Sequence, residues 1–325
     1  MNITSEKIED LSILITGGAG FIGSHLAEHF VKAGAKKIVV LDDLSTGFEK
    51  NISKLFKHDN FEFIKGSIVD LVTCKLACKG IDVVLHHAAL GSVPRSIENP
   101  MATNEVNVSG FVNMLHASHI AGVKKFIYAS SSSVYGDDMT FPKTESKTGN
   151  LLSPYAVTKH TNEKYASVFS SLYGLKTVGF RYFNVFGERQ NPAGAYAAVI
   201  PKFIDSLLND KSPTIFGTGN NTRDFTYVGN VVLANTQAVL NNKISGGTVM
   251  NIACGGTISV NDIFNHISGF LAASLKPTYC PERKGEIKDS YADISYAKNG
   301  LNYEPQITVI DGLERTVEWF KSQMA

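Results

Sequence analysis

Tyr155 and Lys159 are the two residues of this chain whose types and spacing most directly suggest chemistry. Side chains four residues apart lie on the same face of a helix, so the Lys159 ammonium can stand close to the Tyr155 phenol. A nearby cation favours an ionised phenol and would lower its pKa from the reference value of about 10. The run Ser130–Ser133 precedes this pair and offers a hydroxyl to bridge the phenolate and an alcohol substrate. The pattern predicts a general base that works near neutral pH.

The segments that must position this pair alternate between apolar strands and helices. The predicted strands are 11–16, 37–41, 61–65, 82–86, 125–129, 176–180 and 248–253. The predicted helices are 21–33, 107–121, 155–172, 228–240 and 308–324. Such alternation indicates a parallel sheet covered on both faces. The predicted fold class is α/β, a Rossmann-type doubly wound parallel sheet with a smaller C-terminal α/β substrate lobe.

The alternation of strands and helices changes after about Tyr182, where turn-forming residues cluster and the loops lengthen. We therefore expect one domain, built on the sheet, at 1–182 plus 228–254. A smaller lobe is expected at 183–227 plus 255–325. Ligands of open α/β sheets bind at the carboxyl ends of the strands, so the loops after position 182 should carry the substrate.

The first predicted strand leads into a glycine-rich turn that opens a helix. Gly17, Gly20 and Gly23 have the spacing G-x-x-G-x-x-G, a variant of the dinucleotide fingerprint. The first glycines allow a tight turn and a close approach to a pyrophosphate, and the last lets the helix pack on the strand. The helix N-terminus adds N–H groups and a positive dipole. The turn predicts a dinucleotide site.

Asp42 ends the second predicted strand, nineteen residues after Gly23. A carboxylate at this distance can accept both hydroxyl groups of the adenosine ribose. Asp42 and Asp43 together would repel a 2′-phosphate, so the predicted cofactor is NAD rather than NADP.

Composition excludes several classes of protein. The chain has 325 residues, a net charge of +1, 43% hydrophobic residues and 19% charged residues, as in ordinary soluble enzymes. This balance gives no broad attraction to nucleic acid or to an anionic membrane. The four cysteines complete no metal-binding pattern, and neither a signal peptide nor a membrane-spanning stretch is visible. We expect a cytoplasmic protein without a metal.

With these residues in view, the chain resembles the extended short-chain dehydrogenase/reductase family, specifically its nucleoside-diphosphate-sugar 4-epimerases. Within that family it is most similar to the bacterial UDP-N-acetylglucosamine (UDP-GlcNAc) 4-epimerases, through RYFNVFGERQNPAGAYAAVIPKF (181–203). The other motifs run in order along nearly the whole chain: TGGAGFIGSH (16–25), LDDLSTG (41–47), HHAA (86–89), FIYASSSSVYGD (126–137), SPYAVTK (153–159) and GTGNNTRDFTYV (217–228). The resemblance assigns NAD to the sheet domain and the sugar nucleotide to the smaller lobe.

The resemblance implies a set of NAD contacts. The matching positions are Gly17, Gly20, Phe21, Ile22, Gly23, Asp42, Asp43, Ser45, Thr46, Gly47, Ser67, Ile68, Ala88, Ala89, Asn107, Tyr155 and Lys159. Ala88 and Ala89 would form the floor of the nicotinamide pocket. Ser67 departs from the family, which usually has Asp beside the adenine, so a hydroxyl replaces a carboxylate acceptor there.

The resemblance also implies that Ser131, Tyr155 and Lys159 are catalytic and that a UDP-sugar is the substrate. The positions that match substrate contacts are Gly91, Ser92, Ser131, Ser132, Ser133, Asn184, Ala198, Val199, Arg223, Arg283 and Ser290. Arg223 and Arg283 would clamp the diphosphate, for which a planar cationic fork is well suited. Phe225 stands where many relatives have Tyr, so one hydroxyl contact to the nucleotide ribose is absent.

The serines before the Val-Tyr-Gly stretch reduce the number of reactions of the family that this chain is expected to catalyse. The 4,6-dehydratases and UDP-glucuronate decarboxylases of this family carry a carboxylate there, whereas this chain has Ser132 and Ser133. Elimination would lack its acid, so the resemblance implies reversible redox at C4. Tyr155, directly or through Ser131, would remove the C4 hydroxyl proton while hydride passes to NAD. The 4-keto sugar would then rotate and present its other face to the cofactor. The hydride and the proton would return to that face.

Ser290 carries the prediction of substrate size. Family members restricted to glucose and galactose have a bulky Tyr seven residues after the second arginine, which is Arg283 here. Serine leaves room for a 2-N-acetyl group, so the expected pair is UDP-GlcNAc and UDP-N-acetylgalactosamine (UDP-GalNAc). Two alternative interpretations stay open. The chain could be a UDP-glucuronate or UDP-glucose/galactose 4-epimerase, or a non-catalytic dinucleotide sensor. Helices at about 101–121 and 155–172 pair across a two-fold axis in this family, so a homodimer is expected.

Overall fold

The computed structural model describes residues 7–194, 197–282 and 289–324. The strands in these ranges are β1 (Ser12–Thr16), β2 (Lys37–Asp42), β3 (Phe61–Lys65), β4 (Val83–His86), β5 (Lys125–Ser131), β6 (Lys176–Tyr182), β7 (Val185–Phe186), β8 (Thr214–Phe216), β9 (Thr222–Arg223), β10 (Thr226–Tyr227), β11 (Thr248–Ile252), β12 (Ile258–Ser259), β13 (Thr278–Cys280) and β14 (Asp289–Ser290). The helices are α1 (Phe21–Lys32), α2 (Leu71–Ala77), α3 (Val93–Glu98), α4 (Pro100–Asn104), α5 (Phe111–Ile120), α6 (Pro154–Tyr173), α7 (Val199–Leu208), α8 (Val228–Leu240), α9 (Val260–Leu271), α10 (Ser295–Leu301) and α11 (Val309–Ser322). A π-helical segment, Glu105–Gly110, joins α4 to α5.

Seven strands form one parallel sheet in the order β11-β6-β5-β4-β1-β2-β3. All five residues of β1 are buried, as expected for a central strand covered on both faces. The strand order reverses between β1 and β4, which leaves a crevice at the carboxyl ends of these strands. The predicted Rossmann-type doubly wound sheet is confirmed.

Two apolar layers cover the sheet. Ile13 and Ile15 belong to the layer that includes residues of α1 and α8, whereas Leu14 belongs to the layer that includes residues of α2, α5 and α6. This division follows from the pleat, because successive side chains of a strand point to opposite faces. The predicted strand at 61–65 and the predicted helix at 228–240 have the observed bounds, and the other predicted elements differ at their ends by a few residues.

The chain after β6 builds a further apolar cluster around α7, α9 and α11, which includes Phe203, Ile263 and Leu313. Short strands accompany it in three small sheets, which have the orders β10-β7, β12-β9-β14 and β13-β8. Helices α7 and α9 were not predicted from the sequence. The proposed domain boundaries stay a prediction. Among the helices in the described ranges, none combines the length and apolar character that crossing a bilayer requires.

Lys125 fastens α8 to the sheet through a buried ammonium. Its Nζ donates to the carbonyl oxygens of Ala238, Val239 and Asn241 at 3.2, 2.5 and 3.1 Å, and the residue is 3% exposed. The last carbonyl groups of a helix lack partners within the helix, and a cation near them also complements the helix dipole. This contact fixes the C-terminal end of α8 against β5.

Lys125→Met should lower the free energy of unfolding by about 2–3 kcal/mol, because it removes charged hydrogen bonds from buried carbonyl groups. Lys124→Met is the matched control, since the Lys124 side chain is 59% exposed and pairs with Asp82 at the surface. That pair should contribute less than about 1 kcal/mol. Urea unfolding of both variants measures the difference, and equal losses would contradict the anchoring role.

Candidate active site

The glycine turn after β1 is packed so closely that side chains would not fit. Gly17 has φ of +68°, and a Cβ there would lie 2.7 Å from the amide nitrogen of Ala88. A Cβ on Gly23 would lie 2.2 Å from the Gly17 carbonyl oxygen. Helix α1 begins directly after Gly20, which has no side chain to cap the helix. The turn therefore offers a backbone cradle of the kind that fits a pyrophosphate.

Asp42 lies at the carboxyl end of β2 and lines the cavity that opens above this turn. Its two carboxylate oxygens accept the amide protons of Ala19, at 2.9 Å, and of Leu44, at 2.8 Å. Burial raises the Asp42 pKa, and these two hydrogen bonds oppose that shift. Each oxygen keeps a further lone pair, so the carboxylate can still accept ribose hydroxyls.

The cavity has a volume of about 340 Å³ and runs from Asp42 to the end of β5. The predicted NAD and catalytic residues that line it are Gly17, Gly20, Phe21, Ile22, Gly23, Asp42, Asp43, Ser45, Thr46, Ile68, Ala88, Ala89, Ser131, Tyr155 and Lys159. A dinucleotide fits this combination of a backbone cradle at the glycine turn, the Asp42 carboxylate and the apolar side chains of Ala88 and Ala89. His87 and Tyr182 line the same cavity and were missed, although His87 falls within the HHAA motif.

Three residues of the predicted NAD set lie behind the cavity wall. A Cβ on Gly47 would meet Ala19, so Gly47 packs against the glycine turn. The Ser67 hydroxyl accepts the Val69 amide proton at 3.2 Å within its own turn. The Asn107 side chain contacts three groups, namely Leu90 N at 2.7 Å, Leu90 O at 3.1 Å and Thr158 Oγ1 at 3.2 Å. Direct contact of these residues with NAD stays a prediction.

Tyr155 and Lys159 face the cavity from the first two turns of α6. Pro154 occupies the first turn of this helix, and the Ser153 hydroxyl accepts the Ala156 amide proton, so the helix starts with a side-chain cap. The amide proton of Tyr155 is also bound, by the Ser96 hydroxyl at 3.0 Å. Both caps fix the position at which Tyr155 enters the cavity.

Ser131, Tyr155 and Lys159 are brought together as predicted. Ser131 and Tyr155 line the same cavity, and the Ser131 hydroxyl lowers the pKa of the Tyr155 phenol. Lys159 Nζ donates to the Ala129 carbonyl oxygen at 2.7 Å and lies 5.9 Å from the centre of the Tyr155 ring. The predicted lowering of the Tyr155 pKa is wrong for the protein alone, because burial raises this pKa and the opposing effect of Ser131 is smaller. Burial lowers the Lys159 pKa to about 8.

The loop after β4 and the turn that follows β5 hold further predicted sugar contacts, of which Ser92, Ser132 and Ser133 line neither this cavity nor the second one described below. Gly91 lines the first cavity, and Ser92, with φ of +118°, caps α3 through its hydroxyl. Ser132 and Ser133 form a short 3-10 turn, in which the Ser133 amide proton is donated to Ser131 Oγ at 3.1 Å. The Ser133 hydroxyl is buried and has no hydrogen-bond partner among the described residues.

A second cavity of about 290 Å³ adjoins the first, and Val185 lines both. The predicted substrate residues that line it are Asn184, Ala198, Val199 and Arg223. Lys202, Phe216 and Asn221 line it too, and the sequence analysis missed them, although Lys202 lies within the 181–203 motif. Apolar side chains and a few polar groups give this cavity the character of a small-molecule site.

Ser290 and Arg223 are register partners on β14 and β9, so their side chains project to the same face of this small sheet. Ser290 itself borders neither cavity. The predicted second arginine, Arg283, lies outside the described residues. Asp224 was missed: it is 1% exposed and accepts the amide protons of Cys254 and Gly255 at 2.9 Å each. Burial raises the Asp224 pKa to about 6.

Comparison with known proteins places this geometry in a family. Residues 13–253 match the model of the NAD dependent epimerase/dehydratase family. A putative UDP-glucose 4-epimerase of Methanocaldococcus jannaschii is 39% identical over 312 residues, which cover 95% of this chain and 98% of that protein.

Two solved structures are similar along nearly the whole chain. One is the UDP-N-acetylglucosamine 4-epimerase of Methanobrevibacter ruminantium in complex with UDP-N-acetylmuramic acid, with 38% identity, a TM-score of 0.92 and coverage of 97% of this chain and 100% of that one. The other is a variant UDP-glucuronic acid 4-epimerase of Bacillus cereus with a fluorinated UDP-sugar and NAD, with 33% identity, a TM-score of 0.88 and coverage of 96% and 100%. The chain therefore belongs to the NAD dependent epimerase/dehydratase family.

Proposed function

We propose that this protein interconverts UDP-GlcNAc and UDP-GalNAc by inverting C4 of the sugar. The coarser assignment, an NAD-dependent UDP-sugar 4-epimerase, follows from its family and from the similar proteins that carry this activity in their names. The observation that carries the proposal is the pair of adjoining cavities. One joins the glycine turn to Ser131, Tyr155 and Lys159, and the other contains Arg223.

The catalytic residues support proton exchange at one hydroxyl of the sugar. Tyr155 would take the C4 proton and return it, with the Ser131 hydroxyl as the bridge between phenol and sugar. When bound, NAD takes up and returns the C4 hydride, and its oxidised ring adds a positive charge to the cavity. A positive charge favours the phenolate and opposes the effect of burial on the Tyr155 pKa.

The surroundings of Tyr155 support inversion without elimination. Ser132 and Ser133 occupy the turn after β5, and a neutral hydroxyl cannot act as the acid that loss of water requires. Contact of Ser132 and Ser133 with the sugar stays a prediction, since neither residue lines the cavities. At the nucleotide end, Arg223 offers a guanidinium suited to a diphosphate, and Arg283 stays a predicted second clamp.

The choice of the N-acetylated sugar rests on Ser290. Ser290 borders neither cavity but projects to the same face as Arg223, where its small side chain would leave room for a 2-N-acetyl group. The similar protein from Methanobrevibacter ruminantium is named for UDP-N-acetylglucosamine and was solved with an N-acetylated UDP-sugar. The second candidate substrate is UDP-glucuronate, which the name of the Bacillus cereus relative favours.

A homodimer in the cytoplasm completes the proposal. Helix α6 carries exposed apolar side chains at Val157, Val168 and Leu172, and the neighbouring α4 exposes Met101. Exposed apolar side chains on adjacent helices suit a protein interface, which agrees with the family-based expectation that these helices pair. The cytoplasmic location stays a prediction from the sequence.

The test is a substrate panel of UDP-GlcNAc, UDP-glucose and UDP-glucuronate, with the C4 configuration of each product read by proton NMR. We expect UDP-GlcNAc to give UDP-GalNAc with the highest kcat/KM of the three and no net reduction of NAD. Conversion of UDP-glucuronate alone would replace the proposed substrate by the second candidate, without removing the 4-epimerase assignment.

Tyr155→Phe should lower kcat by about 10²–10⁴-fold, the usual range for loss of a positioned acid–base group. The phenyl ring keeps the shape of the cavity wall, so the NAD that co-purifies with the protein should be unchanged. Turnover by NMR and cofactor release on denaturation measure the two quantities. Activity within a few-fold of the wild type would remove Tyr155 from the mechanism.

Ser290→Tyr should lower kcat/KM for UDP-GlcNAc at least tenfold and leave that for UDP-glucose within about threefold, because only the acetyl group needs the volume. Ser290→Ala is the matched control, since it keeps the space and should keep the preference. If both variants retain the wild-type ratio of the two substrates, Ser290 does not determine substrate size.

A further inference from the structure

A third residue of α6 continues the spacing of the catalytic pair. Tyr155, Lys159 and Glu163 follow one another at intervals of four, so they share one face of the helix. Each contacts one of three consecutive residues at the end of β5. Lys159 Nζ donates to the Ala129 carbonyl oxygen, and the Ser130 hydroxyl donates to Glu163 Oε1 at 2.5 Å. The Tyr155 phenol faces Ser131, which lines the same cavity and lowers the Tyr155 pKa.

Glu163 is buried and is held by a second partner. Arg181 of β6 donates to it through two nitrogens, from Nε to Oε1 at 2.9 Å and from Nη2 to Oε2 at 2.8 Å. Glu163 is 7% exposed and Arg181 4%. Such a two-point contact between a guanidinium and a carboxylate fixes the orientation of both groups. The Glu163 carboxylate therefore has a fixed position one helical turn beyond Lys159.

The charges around Lys159 come from three elements. On α6, Glu163 raises the Lys159 pKa and opposes the effect of burial, which is the larger of the two. At the end of β4 and directly after it, the pKa values of His86 and His87 are lowered by burial and by Lys159, so both rings are neutral at working pH. Arg181 on β6 carries the opposite charge to Glu163 and weakens its field. Tyr155 is the remaining titratable neighbour of Lys159, and its phenol is the general base that the ammonium is expected to assist.

We propose that Glu163 is a positioning residue for the catalytic pair, which holds the catalytic face of α6 against β5 and places a carboxylate one helical turn from Lys159, while Arg181 limits the strength of its field. The arrangement extends the functional spacing from Tyr-x-x-x-Lys to Tyr-x-x-x-Lys-x-x-x-Glu. This inference rests on the proposed epimerase activity and does not depend on which UDP-sugar is the substrate.

The test is the pH dependence of kcat/KM, measured with any UDP-hexose that the wild type turns over. Activity should fall at alkaline pH as Lys159 loses its proton. Glu163→Gln removes a negative charge beside Lys159 and leaves the positive charge of Arg181, so the alkaline limb should move down by about one pH unit or more. Arg181→Met leaves the Glu163 carboxylate without its positively charged partner. The alkaline limb of this variant should therefore move to higher pH.

The double variant Glu163→Gln/Arg181→Met is the decisive control. Replacing both members of a buried ion pair by neutral side chains is often tolerated, and here it restores the local charge balance. We expect its alkaline limb within about 0.3 pH units of the wild type, with NAD still bound. If every variant loses activity while the limb stays in place, Glu163 has only a structural role and the proposal is wrong.

Glu163→Asp keeps the inference testable if the single neutral variants do not fold. It retains the charge on a shorter side chain, so kcat should fall several-fold while the alkaline limb stays at the wild-type pH. A limb displaced in this variant as far as one pH unit would contradict the electrostatic role. A wild type inactive on every UDP-hexose would instead contradict the proposed function itself.

Discussion

The contact between α6 and the end of β5 is the constraint on which the rest of the site depends. Three polar side chains of the helix meet three consecutive residues of the strand, and the carboxylate among them is paired with Arg181 in the next strand. A buried charge is costly unless it is paired and hydrogen bonded, so this interface tolerates little displacement. The position and the orientation of the Tyr155 side chain in the cavity are therefore fixed.

The second requirement is backbone proximity at the point where the strand order reverses. Gly17 lies against Ala88 and Gly23 lies against Gly17, so the turn after β1 and the end of β4 form adjacent walls of one cavity. Any Cβ at these glycines would separate the walls. The same crevice reaches Tyr155 and Lys159, so the glycine turn and the predicted catalytic pair line one cavity.

Much of this arrangement could be predicted from residue types and spacing. The alternation of apolar strands and helices predicted the sheet, and the glycine spacing with Asp42 predicted the cofactor, because both patterns are local in the chain. Electrostatics could not be predicted in the same way. The Tyr155 pKa is raised because burial outweighs its single hydrogen bond, and burial depends on segments far apart in the sequence. Lys202 and Asp224 were missed for a similar reason, since their importance comes from their neighbours in the fold.

The sequence by itself determined the family, the doubly wound sheet and the NAD cofactor, since short motifs carry these. Only the tertiary structure decided that Asn107 contacts Leu90 and Thr158, that Ser67 contacts its own turn, and that Glu163 contacts Ser130 and Arg181. The physical reason is that a side chain with several possible partners bonds the one that packing brings within about 3 Å. Along the sequence, Asn107 lies 17 residues from Leu90 and 51 residues from Thr158, and Glu163 lies 33 residues from Ser130. Only folding brings these partners into contact.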